Sequence, residues 1–289
     1  MAKPFLKWAG GKAKLAPQIV AAAPPRFGRY HEPFAGAAAV FFALRAAQPE
    51  ILATLSDANA DLIECFAALR DDIGGLSDAL QQLAGQYLAG DELGRQALYY
   101  EVRGRAPSTP AERAARLLFL NKTCYNGLYR VNSSGRFNVP HGRYLKPGIF
   151  DAQALAAASA ALAGVELYAC DFEAACAKAE TGDFVYLDPP YQPLSRTARF
   201  TGYTRGDFGP AEQERLRDVF DRLSGRGVKA MLSNSDHPEV RALYGGRGYE
   251  LAGVTMPRAI NSDGRGRAPI AELLISNFAH DAALGPGAE

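Results

Sequence analysis

Phe184-Val185-Tyr186-Leu187-Asp188-Pro189-Pro190-Tyr191 is an apolar run that stops abruptly at an acid, two prolines and an aromatic ring. β-branched and aromatic residues fill the run, and Asp183 and the prolines bound it, so it reads as a buried parallel strand. Asp188 then begins a loop at the strand's carboxyl edge. Open α/β sheets bind their ligands in the crevice beyond such edges. Each proline fixes φ and lacks an N–H, so the loop is rigid and the Pro189 carbonyl is free to accept beside the Asp188 carboxylate. Tyr191 adds a flat face next to two acceptors. A planar ring carrying an exocyclic NH₂ fits that arrangement, with both N–H bonds accepted and the ring stacked. Asp-Pro alone is an ordinary turn dipeptide; Pro-Pro-Tyr directly after a hydrophobic strand is what favours chemistry.

Around this strand the chain alternates. A helix over Asp151 to Ala163 leads into a strand Val165 to Asp171, followed by a helix Glu173 to Glu180. Downstream come a helix Pro210 to Leu223 and strands Lys229 to Asn234, Tyr249 to Thr255 and Ala271 to Asn277. The last two strands have only the loop Met256 to Ile270 between them, which predicts an antiparallel pair. Gln192 to Gly209 carries Arg196, Arg199 and Arg205 and reads as a loop over the site. Arg258, Arg265 and Arg267 lie in the later loop, placed to touch phosphates.

Upstream, Tyr30-His31-Glu32-Pro33-Phe34-Ala35-Gly36-Ala37-Ala38 reads as a short strand and a glycine turn opening a helix from about Ala37 to Ala47. The strand Ile51 to Asp57 follows, closed by an acid about 20 residues after the turn, a spacing suited to ribose hydroxyls. Asp57 is equally suited to capping the helix that starts near Ala60. Asp171 likewise closes a strand, and by its residues alone reads as an ordinary N-cap of the helix Glu173 to Glu180. Phe5-Leu6-Lys7-Trp8-Ala9-Gly10-Gly11-Lys12 opens the chain, but Ala13 stands where a phosphate loop needs Ser or Thr, which makes a nucleotide hydrolase remote. Trp8 alone would read as a core residue.

Asp61 to Leu120 is helical in pattern, with breaks at Gly74-Gly75, Gly90 and Pro107 to Pro110. Asn121 to Tyr144 is different. It interleaves aromatic, amide and basic residues with Gly127, Gly135 and Gly142, a composition for a hairpin or ordered loop rather than a helix. Arg reads guanine bidentately, Asn reads adenine, and aromatic rings wedge between bases. A basic solvated hairpin is the plain alternative.

These motifs, in this order, resemble the Dam-type DNA adenine methyltransferases, amino-methyltransferases with an Asp-Pro-Pro-Tyr motif that use S-adenosylmethionine. The resemblance spans nearly the whole chain: Trp-Ala-Gly-Gly-Lys, Phe-x-Gly-x-Gly with Ala38 in place of the second glycine, Tyr-Asn-Gly-Leu-x-Arg, Phe-Asn-Val-Pro-x-Gly-Arg-Tyr and Asp-Pro-Pro-Tyr. It implies an α/β fold: a doubly wound, mostly parallel, seven-stranded methyltransferase sheet with an inserted helical DNA-recognition domain. Residues 1–60 and 145–289 would form the catalytic domain and 61–144 the target-recognition domain. The catalytic set it implies is Asp188, Pro189, Pro190 and Tyr191. For S-adenosylmethionine it implies Trp8, Gly10, Lys12, Phe34, Gly36, Asp57, Asp171 and Phe172, the last two on the cofactor's adenine. For DNA it implies Lys7 beside the site, Tyr125 intercalating, Asn126 on the orphaned base, and Leu128, Arg130, Pro140 and Arg143 at base edges or phosphates. Methyl transfer to a flipped-out adenine within GATC is the expected reaction. Ala38 is tolerable if it has already entered the helix.

Composition bounds the rest. At 289 residues and 48% hydrophobic content the chain is globular, and no stretch approaches the ~20 apolar residues of a membrane span. Cys65, Cys124, Cys170 and Cys176 are scattered, so reduced thiols and no metal are expected, in a cytoplasmic monomer. Net charge is +1, but it is unevenly spread: Asp57 to Glu92 has eight acids against Arg70, and Tyr100 to Phe150 has nine Lys or Arg against Glu101 and Glu112. That asymmetry marks a local polyanion surface, and the resemblance implies double-stranded DNA as the partner. Methylation of RNA or of a protein amide, and a DNA-binding protein without catalysis, are the rival functions.

Overall fold

The computed structural model describes residues 2–191, 208–256 and 270–280. In chain order the first half comprises α1 (Ala16–Ala22), β1 (Arg29–Glu32), α2 (Ala39–Ala47), β2 (Leu52–Asp57), α3 (Ala60–Asp71), α4 (Ile73–Ala89), α5 (Glu92–Gly104) and α6 (Pro110–Thr123). A 3₁₀ turn, Tyr125–Gly127, follows α6. The second half comprises α7 (Ala152–Leu162), β3 (Glu166–Ala169), α8 (Phe172–Ala177), β4 (Phe184–Leu187), α9 (Pro210–Gly225), β5 (Lys229–Ser235), α10 (Pro238–Tyr244), β6 (Glu250–Met256) and β7 (Ile270–Ser276).

The seven strands form one sheet in the order β3-β2-β1-β4-β5-β7-β6. β1 to β5 pair in parallel, and β7 lies antiparallel between β5 and β6. β4 is central and buried on both faces, as its unbroken apolar run predicts. Phe184 and Tyr186 enter the core shared with α1 to α7, while Val185 and Leu187 enter the core shared with α8 to α10. Asp183 secures the strand's start by accepting from Arg29 N at 2.8 Å, Glu180 N at 2.9 Å and His31 Nε2 at 2.9 Å. The expected doubly wound sheet and its final antiparallel pair are therefore present. Two short helices, α1 and α10, have no counterpart in the sequence reading.

The helical stretch breaks where its caps fall. Asp72, rather than Gly74-Gly75, ends α3 and caps α4, accepting from Gly75 N at 3.0 Å, so both glycines lie inside α4. Gly90 closes α4, and Thr109 with Glu112 forms a capping box ahead of Pro110. α6 also runs further than expected. Asn121 to Thr123 belong to its last turn because that turn is buried and its side chains bond inward, Thr123 Oγ1 donating to Phe119 O at 2.6 Å. After it, Arg130 to Phe137 fold back as an antiparallel loop, bridged at Val131–Phe137, with Asn138 N on Arg130 O at 3.0 Å. Among the described residues, no helix is long and apolar enough to cross a membrane.

Candidate active site

The carboxyl ends of β1, β2 and β4 face one crevice. Asp188, at the end of β4, keeps 17% of its side chain exposed, and Lys12 Nζ stands 2.9 Å from its Oδ1. The same ammonium donates to the Gly10 carbonyl at 2.9 Å, lies 4.0 Å from Glu272 Oε2 and sits 4.4 Å over the Tyr191 ring. Lys12 is only 4% exposed, so these contacts are made largely out of water. Tyr191 donates its hydroxyl to Glu272 Oε2 at 2.9 Å, which fixes the ring beside Asp188. Burial pushes the Asp188 carboxyl up to about 6, against the pull of Lys12 and with the push of Glu272. At neutral pH it is therefore an ionised acceptor.

The two prolines do as their chemistry requires. Pro189 is buried and its carbonyl accepts no hydrogen bond from the described residues, whereas the Pro190 carbonyl accepts from Gln213 Nε2 at 3.3 Å. Gln213 is itself held by Asn234 Nδ2 at 3.1 Å. The loop is thus tied down at its second proline and open at its first.

Behind it, Gly36 forms the turn after β1 at φ +47, and its missing side chain is what lets Trp8 approach: a Cβ there would lie 3.0 Å from Trp8 Cδ1. Asp57 accepts from Gly36 N at 3.0 Å and from Asn59 N at 2.9 Å, so one carboxylate joins the glycine turn to the β2–α3 corner. The N-cap of α3 is Asn59, not Asp57. Ala38 has not entered α2; it is the left-handed residue before it, at φ 53 and ψ 39, and fully buried. The expectation that the helix already holds this position is corrected: the turn itself needs the αL conformation here, which explains why glycine suits the site.

Phe34 stacks on Phe172 at 5.2 Å and 25°, with Arg215 4.3 Å above the Phe172 ring. Asp171 caps α8, accepting from Glu173 N at 2.9 Å, and pairs with Arg215 at 2.6 Å. Its capping role is realised; an ionised carboxylate retains lone pairs beyond those two bonds.

The stretch Asn121 to Tyr144 meets this crevice through the N-terminal segment. Lys7 N donates to Asn121 Oδ1 at 2.8 Å and Asn121 Nδ2 donates to Lys7 O at 2.7 Å. Gly127, at φ +64, leaves room for the Lys7 side chain, since a Cβ there would lie 2.7 Å from Lys7 Cδ. Tyr125 is 55% exposed and Asn126 is left-handed at φ 55, so the turn presents both outward. Pro140 and Arg143 are exposed; Arg130 is exposed too, with Nε on Asn138 Oδ1 at 2.7 Å. Leu128 is half-buried against the core. Arg196, Arg199, Arg205, Arg258, Arg265 and Arg267 lie outside the described residues.

Sequence reasoning passed over Glu272, Glu32, Asn121 and Tyr129. A lone acid inside the apolar run Leu273 to Ile275 and its neighbours was the available signal for Glu272. Glu32 is buried beneath the glycine turn, accepting from Tyr30 Oη at 2.8 Å and Phe41 N at 3.0 Å. Burial pushes its carboxyl up to about 8.

A seven-stranded sheet of this order, with an Asp-Pro-Pro-Tyr loop closing its central strand, defines a methyltransferase of the Rossmann-like type. The chain belongs to the D12 class of N6 adenine-specific DNA methyltransferases, whose family model matches residues 8–256. It is 41% identical to the type II methyltransferase M.MjaIII of Methanocaldococcus jannaschii, over 96% of this chain and 99% of that one. It is 37% identical to the type II methyltransferase M1.LlaDCHI of Lactococcus lactis subsp. cremoris, over 96% and 95%. A DNA adenine methylase of Haemophilus influenzae matches at 32% identity over 94% and 92%. The protein is therefore an enzyme, a DNA adenine methyltransferase, and DNA is its substrate.

Proposed function

We infer that the enzyme takes the methyl of S-adenosylmethionine and places it on the exocyclic amine of an adenine flipped out of duplex DNA, within GATC. The observation that carries this reading is the pair of acceptors closing β4: the ionised Asp188 carboxylate and the Pro189 carbonyl, which accepts from none of the described residues, beside a Tyr191 ring held by Glu272. An adenine amine is a weak nucleophile because its lone pair is delocalised into the ring. Accepting both N–H bonds favours a pyramidal nitrogen with a localised lone pair and stabilises the positive charge that grows there. The base reaches such a recess only outside the stack, at a cost of roughly a few kcal/mol offset by stacking on Tyr191 and by Tyr125 filling the gap.

The residues present suit the cofactor. Trp8 beside the glycine turn, the Phe34–Phe172 stack and the Asp57 carboxylate offer aromatic walls and an acceptor at the sheet's carboxyl edge. Trp8, Gly10, Phe34, Gly36, Asp57, Asp171 and Phe172 would hold it, with Lys12 at its border with Asp188. When bound, S-adenosylmethionine supplies an electrophilic methyl on a sulfonium. Residues 61–144 serve as the target-recognition domain, with Lys7, Tyr125, Asn126, Leu128, Arg130, Pro140 and Arg143 toward DNA, and residues 1–60 and 145–289 as the catalytic domain. One chain carries both transfer loop and recognition turn, which supports action as a monomer. A DNA substrate and four free thiols support a cytoplasmic setting.

The test is methylation of a duplex library containing every tetranucleotide context, with RNA and peptide controls, read by mass spectrometry and sequencing. N6-methyladenine confined to GATC is expected. An Arg130→Ala variant should relax one base pair, at ~1 to 3 kcal/mol, if Arg130 reads a base. Another preferred site would refute the GATC assignment, and methylation of RNA or peptide in preference to duplex would refute the proposed substrate.

A further inference from the structure

We propose that residues 7–12 mechanically couple the DNA-reading turn to the cofactor and transfer sites, with Tyr129 as the positioning residue through which the turn acts on Trp8. The proposal rests on Trp8 lining the cofactor site, as inferred above. Three anchors along six residues carry it. At one end Lys7 is clamped to the recognition stretch by both ends of the Asn121 amide, which also donates to Gly127 O at 3.2 Å. Next to it Trp8 stacks on Tyr129, centroids 5.3 Å apart and planes at 30°, and its pyrrole edge packs against the Gly36 turn. At the far end Lys12 meets Asp188 at 2.9 Å.

Tyr129 has a second handle. Its ring is 7% exposed, and its hydroxyl donates to Asp61 Oδ2 at 2.8 Å, in the first turn of α3. That turn follows the corner where Asp57 joins Asn59 to Gly36. Trp8, Tyr129, Asp61, the start of α3 at Asn59, Asp57 and Gly36 therefore close a circuit that runs through both the proposed cofactor wall and the chain just after Tyr125 and Asn126. Side chains packed this closely shift together rather than deform one by one. Any movement of the turn on engaging DNA reaches Trp8 and the glycine turn. By linkage, cofactor binding must then change DNA affinity by the same factor that DNA changes cofactor affinity.

The chain has one tryptophan, so Trp8 emission reports the stack directly. S-adenosylhomocysteine, which has no methyl to transfer, would be titrated by calorimetry and by Trp8 emission, with and without a GATC duplex. In the wild type the duplex should change its affinity at least about fivefold, the lower end of ordinary coupling. Tyr129→Leu should bring that ratio to within about twofold of unity. Tyr129→Phe, which keeps the ring but not the Asp61 bond, should fall between. A purely structural Tyr129 would weaken both ligands and leave the ratio intact, and that result overturns the proposal, as does a wild-type ratio of one. Should Tyr129→Leu fail to fold, Tyr129→Phe and Asp61→Ala decide the matter by the same ratio. Failure of the wild type to bind S-adenosylhomocysteine at all would instead overturn the cofactor assignment, and this proposal with it.

Discussion

Asp188→Asn keeps the size of the side chain and one carbonyl acceptor but removes the charge and turns half the group into a donor. On the proposed reading the carboxylate accepts from an amine on which positive charge grows, and it lies beside an ammonium at 2.9 Å and largely out of water. Losing one such preorganised group elsewhere costs roughly 10²- to 10³-fold in turnover, about 3 to 4 kcal/mol, and the same is expected here. On the proposed reading cofactor affinity should change little, because the Asp57 carboxylate bonds to Gly36 and Asn59 and Phe34 stacks on Phe172, neither contact involving Asp188. The pH profile separates a charge effect from a shape effect. With Asp188 titrating at about 6, wild-type kcat/KM should rise through pH 6 and level off above it, and the Asn variant should lose that limb. Single-turnover transfer of labelled methyl to a duplex across roughly pH 5 to 8, with calorimetry for the cofactor, measures both. If the variant keeps more than about a tenth of wild-type turnover, a loss under ~1.4 kcal/mol, or loses cofactor binding in step with turnover, the role given to Asp188 is wrong.

Glu272→Gln should preserve the fold but loosen the Tyr191 ring and remove a carboxylate that raises Asp188, so the acid limb of the rate profile should move to lower pH while turnover falls; an unmoved limb refutes the coupling. Ala38 occupies αL with its methyl buried, so Ala38→Gly should change stability by less than ~1 kcal/mol, strain relief offsetting lost burial and greater chain entropy. Ala38→Val should cost more than ~2 kcal/mol, because a β-branched residue fits αL badly, and equal urea midpoints for the two variants would disprove the strain. Glu32 is raised from 4.5 to about 8 by burial, so the folded state binds its proton more tightly than the unfolded chain does. The stability it contributes is present below pH 4.5 and is lost as pH rises through about 8, to the extent of a few kcal/mol at about 1.4 per pKa unit. Urea denaturation of Glu32→Gln should lack that decline, and parallel curves for variant and wild type would exclude it.

Local pattern carried most of the fold. β4 was legible because a strand buried on both faces must be apolar throughout, and the caps of α4 and α6 were near the expected breaks because Asp, Thr, Gly and Pro act on their immediate neighbours. What escaped was decided at long range. Glu272 meets Tyr191 across 81 positions of chain, and Asn121 meets Lys7 across 114. Asn121 looked like loop composition because its amide is polar; it remains helical because that amide finds three backbone partners inside the protein. Tyr129 falls at an unspecified position in the motif around it, and only the stack on Trp8 gives it meaning. Nor does spacing alone place β7 between β5 and β6, since a short connection predicts the antiparallel pair but not which member of it joins β5.

Lys12 shows most clearly how local and distant forces combine. Burial by itself would drive Asp188 toward its protonated form, and a protonated acid would present a donor where the proposed transfer needs an acceptor. An ammonium 2.9 Å away opposes that drift and leaves the carboxyl near 6, low enough to be ionised at neutral pH yet basic enough to polarise an N–H bond. Glu272 acts the other way, raising Asp188 while standing 4.0 Å from the same ammonium and holding the tyrosine. Two carboxylates thus share one cation, and the cation's position is set by a third partner, the Gly10 carbonyl two residues before it. Gly10-Gly11-Lys12 resembles a phosphate loop in sequence because both need tight turns that deliver a lysine to a buried anion. Here the anion is the protein's own.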